Sequence, residues 1–320
     1  MTSRHPIRGW IELIGTRAAC QVIPRWSRGG IVRLAKFLSG VAPYVAREAR
    51  RVTDANLRLA YGTELDSVTR ERIARDSFRT FLLVLLDLIW FTRDTAERIR
   101  QYVQPHPTLF ARLERPGPAV LLTGHLGNWE VLGQAVALRG VPLMSVAAPL
   151  NNPAVDQILI QARRQSGQLI VPSQGALLRM YRHLRHGGKV AMLLDQNVKP
   201  EEGGVFVPFF GLPVPISTSA ATLALRMRCP IISAYLLPQP NGIYRVEAGQ
   251  TIEVDELPSE DTEANRTTIT VHIGHMYERA IRKHPGHWLW SYKRWKHVPP
   301  EMSFDAYPFY AKAYRPPTRR

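Results

Sequence analysis

The chain has 320 residues, 45% of them hydrophobic and 21% charged, which is enough apolar material for a sizeable core and reads as globular rather than disordered or fibrous. Its formal net charge of +16 predicts attraction to a polyanion, whether nucleic acid, anionic lipid or an acidic carrier protein. Cys20 and Cys229 are far apart and form no CxxC pair, which argues against a disulfide framework or a structural zinc site and makes a reducing cytoplasm the natural setting.

The first 60 residues hold eleven Lys or Arg and only Glu12, Glu48 and Asp54 as acids. Interleaved with them are Trp10, Ile11, Leu13, Ile14, Trp26, Ile31, Val32, Phe37 and Leu38, the mixture expected of a basic amphipathic helix at a lipid interface. An ordinary surface helix packing its apolar side on a core would show a similar mixture. No apolar run approaches the roughly 20 residues of a spanning helix. The densest, Phe81 to Phe91, is broken by Asp87, and Gly9 to Pro24 carries Glu12 and Arg17, which makes it a poor signal peptide. The expectation is a protein that lies on a membrane, if it meets one.

A long helix is expected from Ser67 to about Phe91, with Ile73, Phe78, Phe81, Leu82, Leu85 and Leu88 near helical spacing. From Pro118 the pattern alternates: a strand over Ala119 to Thr123, a helix over Trp129 to Leu138 ending at Gly140, and a strand over Leu143 to Ala147. A helix over Pro153 to Gln165, a strand at Leu169 to Val171, a helix from Gly175 to Arg185 and a strand at Val190 to Leu194 continue the rhythm of an α/β sheet. A loop rich in Gly and Pro follows Asp195. Then come a helix over about Ser219 to Arg226, a strand at Ile231 to Leu236, a hairpin-like pair over Ile243 to Val254, and a long helix from about Thr262 to Lys283. The expected fold is α/β: a single mixed-sheet domain (61–310) flanked by helices, with an N-terminal amphipathic, membrane-associating helical extension (1–60). The basic tail (311–320) is expected to be flexible, with Arg315 to Arg320 frayed.

The sharpest chemical feature is His125-Leu126-Gly127-Asn128-Trp129-Glu130, where a buried strand ends and a helix begins. Sites gather at strand ends in open α/β sheets. On a continuous helix His125 and Glu130 would be about 500° apart. With Gly127 bending the chain and Asn128 as N-cap, the Glu130 carboxylate can fold back to the imidazole, fix its tautomer and leave the other ring nitrogen for substrate. The helix N-terminus would offer amide dipoles to a developing oxyanion. Spacing alone is also compatible with a satisfied structural histidine.

Taken with the rest of the chain, HLGNWE resembles the H-x4-D/E motif of the lysophospholipid and glycerol-phosphate acyltransferase superfamily, and the whole is similar to the bacterial lipid A late (lauroyl/myristoyl) acyltransferases. Further blocks agree in order: Asn56-Leu57 resembles the N-terminal NL element, and Asn152-Pro153 followed by Arg163 resembles the second block. Asp195-Gln196 with Val205 to Gly211 resembles the third, and Pro285 to Lys296, with Trp290, Lys293, Arg294 and Lys296, the closing one. The likeness spans roughly residues 45 to 299. It departs in lacking the spanning N-terminal helix usual among lipid A members. The closing block also reads Tyr292-Lys293-Arg294-Trp295-Lys296 where His-Arg-Arg-Phe-Lys is typical.

The resemblance implies direct acyl transfer from acyl carrier protein or acyl-CoA to a lipid hydroxyl, at the cytoplasmic face of a bacterial inner membrane, with the thioester as co-substrate and no metal or resident cofactor. Neither cysteine is near a histidine in sequence, and no G-x-S-x-G motif advertises a covalent intermediate. His125 is then the expected base and Glu130 its orienter, with Asp195 a second carboxylate or structural anchor. Arg163, Arg164 and Asn152 are candidates for the lipid head. Phe206, Phe209 and Phe210 either line an acyl groove or pack as core. Acceptors other than a lipid A precursor, such as a phosphatidylinositol mannoside or a lysophospholipid, keep the same chemistry. A nucleic-acid binder would concentrate its charge on a groove reader, and no such motif appears. His272-Ile273-Gly274-His275 lies late within an expected helix, and Gly187-Gly188-Lys189 lacks the rest of a phosphate-binding loop.

Overall fold

The structure, a computed structural model, describes residues 6–147 and 152–315, without the side chains of residues 6–13, 154, 155, 158, 159 and 162. In chain order it runs α1 (Pro6–Val22), α2 (Arg28–Val45), α3 (Arg47–Tyr61), α4 (Ser67–Trp90), α5 (Thr95–Tyr102), β1 (Val103–Gln104) and α6 (Pro107–Leu113). Then come β2 (Ala119–Thr123), α7 (Trp129–Ala137), β3 (Leu143–Ala147), α8 (Pro153–Arg164), β4 (Leu169–Pro172), α9 (Ala176–Arg185) and β5 (Lys189–Leu193). The remainder is β6 (Gly204–Phe209), β7 (Leu212–Ser217), α10 (Ser219–Met227), β8 (Ile231–Pro238), β9 (Tyr244–Ile252) and α11 (Glu263–Lys283).

Seven strands form one mixed sheet in the order β1-β9-β8-β2-β5-β3-β4, parallel throughout except where β9 runs against β8. The central strand β2 is Ala-Val-Leu-Leu-Thr and buried along its whole length, the continuous apolar run of a strand covered on both faces. Its side chains alternate between two cores. Val120 and Leu122 join Val190, Met192, Leu223, Ile273 and Tyr277 under α9, α10 and α11. Ala119 and Leu121 join Ala191, Val131, Leu132, Val136 and Leu83 under α7 and α4. Each of these buried Val and Leu side chains contributes about 1.5–3 kcal/mol relative to exposure.

Residues 6–61 form three helices, α1 to α3, an N-terminal helical extension whose inner faces pack on this body. Ser27 caps α2, its hydroxyl accepting from the Gly30 amide at 3.2 Å. Ile31, Ala35 and Ser39, four residues apart on one face, are buried. Leu57, Ala60 and Tyr61 of α3 lie in the core with Trp288 and Trp290.

Two segments depart from expectation. The stretch from Ile243 to Val254 holds a single strand, β9 (Tyr244–Ile252), paired with β8, because the turn at Gln239 to Gly242 comes before it. The Gly- and Pro-rich stretch after Asp195 contains a hairpin, β6 against β7, whose register sets Pro208 opposite Pro213 and Phe206 opposite Pro215. Proline cannot donate to a ladder and so reads as loop, but an isolated two-stranded ribbon leaves every other edge position free for it. Phe210 and Gly211 make the turn with φ of 47° and 80°, and a phenylalanine there gives none of the usual Asn-Gly or Asp-Gly signal. Within the basic tail, residues 316–320 lie outside the described chain, and so does most of the stretch expected to fray.

Candidate active site

The site is built at the carboxyl ends of β2 and β5, which are parallel neighbours in register, Thr123 opposite Leu193. His125 and Asp195 each lie two residues beyond that last pair, so equal offsets on adjacent strands about 4.8 Å apart bring them side by side. The His125 ring Nδ1 is 2.9 Å from Asp195 Oδ1, and the His125 amide donates to Oδ2 at 2.7 Å. Trp288 Nε1 donates to the same Oδ2 at 2.9 Å. This close approach of a carboxylate to the backbone depends on Gly124, since a Cβ there would stand 3.0 Å from Asp195 Oδ2 and 2.8 Å from the Tyr277 ring.

Asp195 is completely enclosed. Burial alone would raise its pKa, but the His125 imidazole and the donors from Trp288 and the His125 amide outweigh it, and the carboxyl is held below its ordinary value. An ionised Asp195 at Nδ1 puts the neutral ring's proton on Nδ1 and its lone pair on Nε2. That second nitrogen lies 3.2 Å from the carboxamide Nε2 of Gln196.

The segment after α11 straps both halves of this pair. His287 O accepts from the Gly127 amide at 2.9 Å and Leu289 N donates to His125 O at 3.0 Å, flanking the turn that bears the imidazole. Asn197 is held from the same strap. Its amide donates to Tyr292 Oη at 3.0 Å, its Nδ2 to Lys293 O at 3.0 Å, and its Oδ1 accepts from Arg294 Nη1 at 2.7 Å. Arg294 is fully buried, and burial lowers its pKa to about 10 despite nearby Asp195. The strap is anchored in turn by Asn56, whose Nδ2 donates to Trp290 O at 2.7 Å and Tyr292 O at 2.8 Å. Asn56 and the closing segment, 234 residues apart, thus form one structural unit.

Glu130, expected on the imidazole, is placed elsewhere. Arg163 grips it with both arms of its guanidinium, Nε to Oε2 at 2.7 Å and Nη2 to Oε1 at 2.8 Å, and Trp129 Nε1 lies 3.2 Å from Oε1. The first turn of α7 directs this side chain toward α8, where a planar fork matches a carboxylate. The carboxylate on His125 is therefore Asp195. Trp129 joins the two groups, its ring 4.5 Å from the His125 ring. The α7 amides expected to face an oxyanion are partly engaged, since Asn128 Oδ1 caps the Val131 amide at 3.1 Å.

Arg163 thus stands beside the site, whereas Arg164 is exposed at the end of α8. Asn152 precedes α8, its carbonyl accepting the Asp156 amide at 2.9 Å. Phe209 and Phe210 are buried in an aromatic cluster with Trp288, Trp290 and Trp295, while Phe206 packs at the surface on Tyr314. Phe210 also borders an open cleft of about 440 Å³ with Leu59 and Tyr307, but no residue lining that cleft touches His125 or Asp195. Cys229 is buried just ahead of β8, the neighbour of β2, at the amino ends of the strands and so across the sheet's length from the site, and burial pushes its thiol up to about 12. Ile273 and Gly274 are buried in α11, and Lys189 Nζ donates to Arg115 O and Gly117 O at 2.9 and 3.2 Å; both strings are structural.

Sequence reasoning names Asp195, Gln196 and the closing segment Pro285 to Lys296, but does not place Asp195 on the imidazole, gives Gln196 no role and leaves the closing segment without its contacts to the His125 turn. The equal offsets of His125 and Asp195 from their strand ends were present in the sequence, and became a signal only once β2 and β5 were known to be neighbours.

Comparison with known proteins gives the family. Residues 1–297 match the family described as bacterial lipid A biosynthesis acyltransferase. A lipid A biosynthesis acyltransferase of Haemophilus influenzae is similar, with 22% identity over 268 residues that cover 82% of each chain. With nearly its whole length matched and a histidine–carboxylate pair at the strand ends, the chain belongs to the bacterial lipid A biosynthesis acyltransferase family and is an acyltransferase.

Proposed function

We propose that the protein transfers a fatty acyl group from a thioester carrier, acyl carrier protein or coenzyme A, directly onto a hydroxyl of a membrane glycolipid of the lipid A precursor type, with His125 as base. The observation that carries this reading is the 2.9 Å contact of His125 Nδ1 with the buried Asp195, which leaves Nε2, beside the exposed Gln196, as a proton acceptor. Asp195 orients the ring and stabilises the imidazolium as it forms. The acceptor oxygen bonds to the thioester carbonyl carbon while its proton passes to Nε2. Collapse of the tetrahedral species expels the thiolate, which takes that proton. The ring contacts above include neither thiol nor serine, and Cys229 is both remote and held neutral, which supports direct attack over an acyl-enzyme.

The Glu130–Arg163 pair lies next to His125 through Trp129 and offers a charged rim to the acceptor's polar head. Membrane association, suggested by the family, is supported by α2. Opposite its buried face, Phe37, Val41, Tyr44 and Val45 are exposed, with Arg33, Lys36, Arg47, Arg50 and Arg51 exposed around them. That pattern suits an anionic leaflet, which we take to be the cytoplasmic face of the inner membrane. Among the described residues no helix is long and apolar enough to cross a bilayer. Acyl transfer from a radiolabelled thioester to lipid A precursor in vesicles tests the assignment. Transfer retained in His125→Ala would overturn the base, and acylation of a lysophospholipid instead would redirect the acceptor.

A further inference from the structure

We infer that Gln196 is a catalytic residue, whose carboxamide donates to the oxyanion formed on the thioester carbonyl. The inference rests on the acyl-transfer reading above. Three observations carry it.

The first is orientation. Ionised Asp195 leaves a lone pair on His125 Nε2, and only the NH2 side of the Gln196 amide can satisfy it at 3.2 Å. A hydrogen-bond donor therefore points at the space the reacting atoms must occupy.

The second is mounting. Asp195 before it is held by the His125 ring, the His125 amide and Trp288, and Asn197 after it by Tyr292, Lys293 and Arg294. The Gln196 backbone is pinned on both sides while its side chain remains exposed, an arrangement that presents a movable donor on a fixed base.

The third is the engagement of neighbouring backbone donors. The amides of His125, Gly127, Asn128 and Val131 are engaged by Asp195, His287 O, Leu236 O and Asn128 Oδ1. The turn that would supply a backbone oxyanion hole has spent these donors on its own fold.

In the free protein the carboxamide holds the place of the acceptor hydroxyl. When that hydroxyl takes the lone pair of Nε2, the amide swings off by one rotamer and meets the carbonyl oxygen. The carbonyl electron pair moves onto that oxygen as the acceptor oxygen bonds to carbon and its proton goes to Nε2. The pair returns when the carbon–sulfur bond breaks, and the thiolate leaves with the proton from Nε2.

The test is steady-state transfer from acyl-CoA and from acyl carrier protein to lipid A precursor in vesicles, using Gln196→Ala and the isosteric Gln196→Glu. Removing an oxyanion donor predicts that Gln196→Ala lowers kcat by about 10²–10³-fold. The KM for the thioester should move by less than about threefold, because the contact forms in the transition state. Gln196→Glu should lose at least as much, since a carboxylate faces the developing negative charge. A kcat within about threefold of wild type in Gln196→Ala, or rescue by Gln196→Glu, overturns the inference. Thermal unfolding checks each variant, and the isosteric one decides if the alanine variant is unstable. A wild-type protein that transfers from neither donor to this precursor sinks the proposed donor and acceptor, and the inference falls with them. An active wild type with an unaffected Gln196→Ala removes the inference alone.

Discussion

Two buried aspartates flank the turn that carries His125, and they differ in one respect. Asp195 takes the imidazole, a backbone amide and an indole, and its cluster ends in a ring nitrogen beside the exposed Gln196. Asp87 takes both arms of Arg28, Tyr244 Oη and the Asn128 carboxamide, and its cluster ends nowhere. Arg28 is further enclosed by the rings of Trp90, Phe91, Tyr102 and Tyr244. Burial works against its charge, and the Asp87 carboxylate more than offsets it, raising its pKa. One cluster is a candidate site and the other a clamp, although their residue types overlap. The clamp ties α2 to the N-cap of α7, because Asn128 caps that helix with its oxygen and holds Asp87 with its nitrogen.

The sharpest way to break the contrast is to ask which carboxylate the imidazole needs. Asp195→Asn keeps the shape and removes the charge, and should lower kcat by about 10²–10⁴-fold, the usual scale for general acid–base catalysis. Glu130→Gln should lose far less, since it unpairs Arg163 without touching the ring. Equal losses in the two variants, measured as kcat for acyl transfer, would return Glu130 to the role its spacing first suggested.

That first suggestion shows what was legible in the chain. Strand β2, helix α7 and the alternation down to β5 are written in apolar runs and in punctuation by Gly140, Gly187 and Gly188, so the α/β fold and the position of His125 could be read. Nearness in sequence and the H-x4-D/E resemblance favour Glu130, with Asp195 as a second carboxylate or structural anchor, whereas proximity here comes from parallel strands 70 residues apart. Strand order and register are tertiary facts, and a single sequence carries them only as equal offsets. Asp87 was legible only as a charge interrupting Phe81 to Phe91. Its partner Arg28 looked like one more basic residue in a crowded terminus, and buried pairing of this kind has no local signature.

The clamp yields the next largest effect. Arg28→Met removes one partner of a fully enclosed pair and strands the Asp87 charge, which should cost about 3–5 kcal/mol in chemical denaturation. Replacing both, with Asp87→Leu added, should recover much of that loss, because no buried charge is left without a partner. A single variant within about 1 kcal/mol of wild type would show that the cluster holds α2 no more firmly than a surface pair does.

Acid sharpens the same comparison on the side of the site. The folded pKa of Asp195 is lowered, so its contribution to stability is complete above the unfolded carboxylate value, about 3.9, and is lost only as pH falls through the lower folded value. The stability gap between wild type and Asp195→Asn should therefore stay level from neutrality to about pH 4 and close below it. A gap that closes already near pH 6 would mean that Asp195 is not held ionised.

The smallest effect on the fold belongs to the outer face of α2, which shares a helix with the clamp yet does none of its holding. Phe37 and Tyr44 are 68% and 71% exposed, while Arg28, Ile31 and Ala35 on the inner face are buried. Phe37→Ser with Tyr44→Ser removes no buried contact, only the exposed stacking of Arg50 on the Tyr44 ring, so unfolding free energy should change by less than about 0.5 kcal/mol. Binding to vesicles containing phosphatidylglycerol should weaken all the same, and added salt should weaken it further through the neighbouring arginines. If sedimentation with such vesicles is unchanged while stability drops, the outer face is part of the core's support, and the division of labour across α2 fails.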